Sequence, residues 1–277
     1  MPLGEPSFAN RSKRLGDTGR ILSQANRRLY RYARYYNIKL DLEPDAGTSF
    51  EVYALRDDWA VQKAVQMAYK AYMHNTAGER ASMSKSQIAR WEDFRIDSGE
   101  ASSSTSDIGP IFSRNGILDD ALAIQGEFAL SEVVDEDENQ KTFSWIGSST
   151  QTAYSVLAEY DKAGNAQQAP SSAVSLSVGP YQDLDDEMDG DTFQNLEANG
   201  DNPPYDRDGV NAMSPWIKIA TLDSSNPNAQ KLSTGFFTAP CGLFLIVQAG
   251  ASDIVGKYSL TVKAGDYKGV HAPSMLE

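Results

Sequence analysis

Two patterns of apolar residues follow one another in the first third of the chain. Residues 49–55 alternate between apolar and polar positions and are rich in β-forming residues, which predicts a strand. Apolar residues then recur at helical spacing in residues 58–74 and again in residues 82–94. The pattern therefore predicts a first strand followed by a two-helix insertion at about residues 57–95.

From about residue 127 the pattern is almost wholly that of β-strands. Short apolar or alternating segments are separated by polar turns, and residues 135–140 are a predicted hairpin tip. Because no helices alternate with these strands, we predict a mainly β protein with an antiparallel sandwich or barrel. The most apolar pair, in residues 233–247, flanks an Ala-Pro-Cys-Gly turn and is expected at the centre of a sandwich. The predicted strands are residues 127–134, 141–147, 152–160, 172–178, 215–222, 231–239, 242–249 and 258–264.

A basic and aromatic segment, RRLYRYARYYN at residues 27–37, lies near the start of the chain. On a helical wheel of residues 20–36 the arginines cluster on one side, opposite leucine, alanine and tyrosine side chains. The spacing predicts an amphipathic basic helix. Tyr30 and Tyr35 flank the arginine side, where an aromatic ring can stack on a nucleic-acid base.

Charge divides the chain into a basic end and an acidic body. The formal net charge is −13, yet residues 1–40 carry a net charge of +7 and the remaining residues −20. Two parts of opposite charge face different neighbours. We therefore predict a basic N-terminal arm with its helix at residues 1–48 and a β-domain at residues 49–277.

The basic segment has three interpretations. Clustered arginines with interleaved aromatic rings bind phosphates of nucleic acid. A basic amphipathic helix also lies on membrane surfaces. In the third interpretation, the helix docks its leucine and tyrosine side chains on the body and leaves its arginines in water or against the acidic surface.

The segment 181–209 contains ten acidic residues and one arginine, and its glycines, asparagines and prolines predict a long exposed loop. Its spacing of oxygen-bearing side chains matches the start of a calcium-binding loop, but Leu196 stands where the closing glutamate would lie. The segment is therefore either a solvated acidic loop or an irregular divalent-cation site. The candidate ligands are Asp185, Glu187, Asp189 and Asp191.

Several classes of protein are disfavoured by the residues present. Only His74 and His271 could serve as a histidine base, and the hydrolase and nucleotide-binding motifs are absent, so we predict no enzyme. Cys241 is the only cysteine, which excludes an internal disulfide framework and a thiolate zinc site. The sequence shows no apolar run of 18 residues and no secretion signal, so we expect synthesis inside the cell and no membrane span.

The layout of a basic arm, eight or nine strands with helical and long-loop excursions, and no catalytic motif resembles the single jelly-roll capsid proteins of small icosahedral viruses. It is most similar to those of circular single-stranded DNA viruses that encode a replication initiator. The segments that carry the resemblance are RSKRLG and RRLYRYARYY near the start and STGFFTAPCGLFLIV at residues 233–247.

The resemblance implies a capsid protein that assembles in many copies and resides in the virion. It implies a jelly-roll sandwich at about residues 49–263, an acidic loop outside the shell or at a subunit junction, and a divalent cation such as calcium there. The arm would face the interior and bind the packaged genome, which the resemblance implies is single-stranded DNA. The residues assigned to this contact are Arg11, Lys13, Arg14, Arg20, Arg27, Arg28, Arg31 and Arg34.

A second function from another class stays open. The acidic segment and the aromatic-rich strands are also typical of a calcium-dependent β-sandwich binding module, such as a lectin-like or attachment protein. Such a module would bind calcium and would not enclose nucleic acid.

Overall fold

The computed structural model describes residues 11–44, 49–97, 105–108, 112–114, 117–119, 130–134, 139–145, 152–165, 214–223, 232–249 and 256–276. Two compact units are interleaved in sequence. Unit one consists of residues 1–57, 100–129 and 215–277, and unit two of residues 58–99 and 130–214. Unit one thus contains the whole of the predicted basic arm together with both ends of the predicted β-domain.

Strands form most of the described regular structure. Among the described residues no helix is long and apolar enough to cross a membrane. In chain order the elements are β1 (Arg11–Asp17), α1 (Thr18–Asn26), β2 (Tyr35–Pro44), β3 (Ser49–Leu55), α2 (Trp59–Asn75), α3 (Ala77–Ala81), α4 (Lys85–Trp91), β4 (Thr105–Ile108), β5 (Phe112–Arg114), β6 (Ile117–Asp119), β7 (Glu132–Val134), β8 (Gln140–Ser144), β9 (Ala153–Ser155), α5 (Val156–Asn165), β10 (Trp216–Asp223), β11 (Leu232–Pro240), β12 (Leu243–Ala249), β13 (Gly256–Val262), β14 (Ala264–Gly265) and β15 (Gly269–Val270).

Two sheets dominate unit one. A five-stranded sheet has the order β10-β3-β12-β1-β4, and a three-stranded sheet has the order β11-β2-β13. All neighbours in these sheets are antiparallel except β1 and β4. The prediction of a mainly β protein with antiparallel sheets is confirmed.

Both sheets contribute side chains to one hydrophobic core. In β2 the apolar side chains at every second position are buried. β3 begins with the same alternation, and burial then continues from Val52 to Leu55. Phe244 and Ile246 from β12 lie in the same core, which forms the interior of unit one. Its fully buried members are Tyr30, Tyr36, Ile38, Leu40, Leu42, Phe50, Val52, Leu222, Ala239, Phe244, Ile246, Val270 and Ala272.

The helix predicted over residues 20–36 is confirmed as far as Asn26 and is wrong beyond it. α1 begins after Asp17, whose Oδ1 accepts a hydrogen bond of 2.9 Å from the Arg20 backbone, and it ends where Arg27 adopts a left-handed φ of 53°. The chain then enters β2. The helical wheel concealed a change of period, because the residues that follow alternate between core and surface. The buried apolar ones are Tyr36, Ile38, Leu40 and Leu42, and Asp41 on the opposite face is buried as well.

The predicted "first" strand at residues 49–55 is the third strand of the chain, because β1 and β2 precede it. Four of the later predicted strands are confirmed with shifts of no more than two residues at either end: β10, β11, β12 and β13. The Ala239–Gly242 turn is closed by a hydrogen bond of 3.0 Å from the Gly242 N–H to the Ala239 carbonyl oxygen. It carries the chain from one sheet to the other. β12 lies between β3 and β1 as expected of a central strand, but the central position expected for β11 is wrong, because among the described strands β11 lies at the edge of its sheet and is exposed or half-buried over most of its length.

Unit two combines helices with a small sheet of order β7-β8-β9. The long helix α2 is confirmed. The predicted second helix at residues 82–94 corresponds to α4, which is shorter than predicted, and the five-residue helix α3 before it was not predicted. The strand predicted at residues 152–160 is wrong beyond Ser155. There the Ser155 hydroxyl accepts a hydrogen bond of 3.3 Å from the Ala158 N–H and starts α5. The hairpin of β7 and β8 is confirmed by their antiparallel pairing. The strand predicted at residues 172–178 and the acidic segment at 181–209 lie outside the described residues.

Candidate nucleic-acid interface

The predicted site residues are spread over several elements instead of one helical face. Three of them, Arg11, Lys13 and Arg14, lie in β1, where their backbones pair with β12. Arg20 is in α1, and Arg27 ends that helix. The remaining arginines, Arg28, Arg31 and Arg34, lie between α1 and β2.

Residues 27–34 form a connection with a well-defined backbone. The Ser23 hydroxyl accepts a hydrogen bond of 2.8 Å from the Tyr30 N–H. The Tyr36 hydroxyl donates one of 2.6 Å to the Arg31 carbonyl oxygen, and the Arg31 N–H donates one of 3.1 Å to the Tyr267 hydroxyl. Each anchor is buried or half-buried, so the arginines of this connection project from a fixed backbone.

The two tyrosines proposed for base stacking have different surroundings. Tyr30 is 2% exposed and its ring packs edge-on against Tyr267, with ring centroids 6.1 Å apart. It is a core residue, and we remove it from the candidate interface. Tyr35 is half-buried at the start of β2, where its N–H donates a hydrogen bond of 3.0 Å to the Pro273 carbonyl oxygen.

A C-terminal segment joins the basic connection, and the sequence analysis missed it. The Arg34 guanidinium carbon lies 3.6 Å from the Tyr267 ring centroid, and its Nη1 donates a hydrogen bond of 2.6 Å to the Ala272 carbonyl oxygen. The Lys268 ammonium donates to the Leu29 carbonyl oxygen and lies 5.3 Å from the Tyr267 ring. These contacts bring together residues more than 230 positions apart in the sequence. The basic turn KAGDYKGVH at residues 263–271 was the available signal.

We call the resulting group of cations the basic surface. Residues 18–40 contain no acidic residue, and residues 257–276 contain Asp266 alone. Within the described part of the chain, the side chains of Arg27 and Arg28 are exposed and make no hydrogen bond, ion pair or ring contact. The charges of Arg27 and Arg28 are therefore not neutralised by described residues. The basic surface consists of Arg27, Arg28, Arg31, Arg34, Lys263 and Lys268.

This arrangement bears on the interpretations of the basic segment. Docking through a helix of residues 20–36 is wrong, because that helix does not exist as predicted. Three of its four tyrosine side chains are nevertheless buried, and Arg27 and Arg28 are exposed, which agrees in part with that interpretation. The exposed side chains of Arg27 and Arg28 form positively charged surface, which attracts anions.

The predicted metal ligands, Asp185, Glu187, Asp189 and Asp191, lie outside the described residues, and the calcium site stays a prediction. Across the described ranges no group of three or more histidine, cysteine, aspartate or glutamate side chains is placed to hold a metal ion. The two histidines are both exposed, His74 in the last turn of α2 and His271 beside the basic surface.

No protein-family model, curated protein or solved structure matches this chain.

Proposed function

We propose that this protein is a capsid subunit that assembles in many copies and binds packaged nucleic acid through its basic surface. The observation that carries the proposal is that unit one combines a rolled antiparallel ribbon of strands with a cluster of cations, of which Arg27 and Arg28 make no ion pair with a described residue.

The strand pairing supports a jelly-roll topology. Taken in chain order, β1, β2, β3, β10, β11 and β12 pair first with last, second with fifth and third with fourth. All three pairs are antiparallel, so the six strands form one long hairpin. Pairing between β12 and β3 folds that hairpin on itself. Four of its strands then form a sheet of order β10-β3-β12-β1, and β2 and β11 lie in the second sheet. Jelly rolls have this architecture and are common in viral capsids and lectins.

This ribbon differs from an eight-stranded jelly roll in two respects. Unit two is inserted between β3 and β10, which is the tip of the long hairpin. Beside β2, β13 from the C-terminal part of the chain occupies an edge of the second sheet. We therefore propose that the six-stranded ribbon forms the wall of the shell and that unit two has a separate role.

The basic surface supports nucleic acid as the partner. Arginine and lysine side chains that contact phosphates release counterions, which supplies most of the sequence-independent affinity. Arg27 and Arg28 meet this requirement best, because their side chains are exposed and make no contact with other described residues. Binding through such contacts weakens as salt rises.

The test is the mass and nucleic-acid content of the purified, nuclease-treated protein. We expect a megadalton particle in light scattering with a nucleic-acid-like ratio of absorbance at 260 and 280 nm. The double variant Arg27→Glu/Arg28→Glu is expected to fold and to lose most of the bound nucleic acid. The variant Lys63→Glu/Lys70→Glu changes the net charge equally on exposed positions of α2 and is expected to retain it.

Two results would contradict the proposal. A species of one to three chains without nucleic acid, over a range of salt and calcium concentrations, would exclude both assembly and genome binding. Equal nucleic-acid loss in the two double variants would show that net charge, and not the basic surface, is responsible.

A further inference from the structure

Phe236 is the most exposed large apolar side chain of the described residues, at 54% of its surface. It lies on β11 in the three-stranded sheet, on the face that points away from the core. Its neighbour Phe237 packs against the core. A single exposed apolar side chain needs no explanation by itself, so the argument depends on how it is placed.

A β-bulge turns Phe236 outward. Ser233 pairs with Asp41 and Phe236 pairs with Lys39, so β11 advances by three residues while β2 advances by two. Without the extra residue, strict alternation would put Leu232 and Phe236 on the same core-facing side. The bulge contains Gly235, whose φ is 71°, and bulges commonly re-aim a side chain.

The side chains around Phe236 are short, polar or basic. One row across the sheet is Phe236, Lys39 and Thr261. The next row contains Thr238 and Asn37, followed by Lys263, whose N–H donates a hydrogen bond of 2.9 Å to the Asn37 carbonyl oxygen.

Charge on this face is positive on balance. Lys39 lies 3.1 Å from the carboxylate of Asp41, which offsets one positive charge. Lys263 is exposed, and the described residues offer its side chain no ion pair. Lys263 is also a member of the basic surface, so the two areas are continuous.

The length of β2 gives the distance between the basic surface and the row that contains Phe236. Arg34 directly precedes β2, and Lys39 is five residues further on. At about 3.3 Å per residue, roughly 16 Å separates the Arg34 end of the strand from the row that contains Phe236. An extended nucleic-acid strand of a few nucleotides spans this distance, which agrees with site sizes of roughly 4–16 nucleotides for single-strand binding folds.

We propose that Phe236 is a base-stacking residue, and that the outer face of the β11-β2-β13 sheet extends the basic surface into a binding path for single-stranded nucleic acid. This inference rests on the proposed function and adds the class of nucleic acid. Stacking requires an unpaired base whose ring face is accessible, whereas phosphate contacts also accept a duplex.

The experiment measures binding of the full chain to a labelled oligothymidylate and to a duplex of the same length by fluorescence anisotropy. Phe236→Ala is expected to weaken single-strand binding roughly 5- to 100-fold per stacked base and to leave duplex binding within about twofold. Phe236→Trp is expected to restore single-strand binding. Ile217→Ala removes an apolar side chain of similar exposure, 41%, from β10 and is expected to change neither affinity.

The salt dependence separates this inference from the function on which it rests. Phe236→Ala is expected to lower the affinity at every salt concentration without changing the slope, because no phosphate contact is lost. Arg27→Glu/Arg28→Glu is expected to lower the slope and to weaken both ligands. If this double variant weakens both ligands and Phe236→Ala weakens neither, the proposed function stands and the stacking role is wrong.

Three further results would overturn the inference. An equal loss for single strand and duplex in Phe236→Ala would assign Phe236 a structural role. Self-association that Phe236→Ala abolishes, without an effect on oligothymidylate, would make this face a subunit contact. Binding of a neutral oligosaccharide that depends on Phe236 and not on salt would assign the face to carbohydrate.

Discussion

Arg34 and Arg28 are neighbouring members of the basic surface, yet the structure predicts opposite consequences when each is replaced by alanine. Arg34 stacks its guanidinium 3.6 Å from the Tyr267 ring centroid and donates a hydrogen bond of 2.6 Å to the Ala272 carbonyl oxygen. Arg28 has an exposed side chain without a contact to the described residues. Arg34 therefore holds the C-terminal segment against the rest of unit one, and Arg28 does not.

The magnitude follows from the two contacts of Arg34. A hydrogen bond from a charged donor contributes about 1.5–3 kcal/mol, and a cation–π contact about 0.5–2 kcal/mol. The two contacts share one side chain and are not additive, so Arg34→Ala is expected to lower the free energy of unfolding by about 2–4 kcal/mol. Arg28→Ala is expected to change it by less than about 0.5 kcal/mol.

Urea denaturation gives both free energies, and hydrogen exchange locates the effect. In Arg34→Ala, protection should fall at the Tyr35 and Met275 amides, which donate hydrogen bonds to the Pro273 and Ala33 carbonyl oxygens. Equal unfolding free energies for Arg34→Ala and Arg28→Ala would refute the reasoning. Arg34→Lys retains the charge but not the planar stacked geometry, and an intermediate loss is expected.

The remaining predictions concern the turn between β11 and β12 and the half-buried phenol of Tyr258. Gly242 has a φ of 69°, and a Cβ there would lie 2.9 Å from Tyr36 Cδ2, so Gly242→Ala should destabilise the fold by about 1–3 kcal/mol in thermal denaturation. Gly78→Ala is the matched control, because a Cβ at that helical position meets nothing within 4 Å; a loss of stability there would contradict the argument. Burial raises the pKa of Tyr258 above its usual 10.0, so the folded state stays neutral where the unfolded state ionises. The contribution of Tyr258 is therefore complete below pH 10.0 and is lost as the pH rises through the folded-state pKa, and Tyr258→Phe should flatten the alkaline fall in unfolding free energy measured by urea titration.

The local sequence pattern was sufficient to predict those helices and strands whose hydrophobic period is unambiguous. The alternation of β3 and the helical spacing of α2 predicted both elements almost to their ends. The apolar strands β11 and β12 and the turn between them were equally readable, because a proline and a glycine mark that turn. Such elements follow from side-chain period and backbone propensity, which are properties of a few consecutive residues.

The basic segment shows where local pattern fails. Residues 20–36 satisfy a helical wheel, but residues 35–44 also alternate, and the two periods overlap at Tyr35 and Tyr36. Pairing of β2 with β11 and β13 decides between them, and those partners lie about 200 positions away in the sequence. The same pairing buries Tyr36 and turns a predicted surface helix into a central strand.

The candidate interface was predicted in part. Clustered arginines were visible in the sequence, so the positive charge of the candidate site was predictable from composition. Lys263 and Lys268 joined them only through the contacts of Arg34 and Leu29 with the C-terminal segment. Tyr30 was misassigned because its aromatic ring is as compatible with a core as with a stacking surface.

By itself, the sequence determined a mainly β protein with a basic N-terminal segment, an acidic remainder and helices before the later strands. Only the tertiary structure decided which strands pair, that the N-terminal basic segment meets the C-terminal turn, and that Phe236 faces outward while Phe237 faces the core. The reason is physical: period and charge are local properties, whereas strand register and a one-residue bulge depend on hydrogen bonds between segments far apart in the chain.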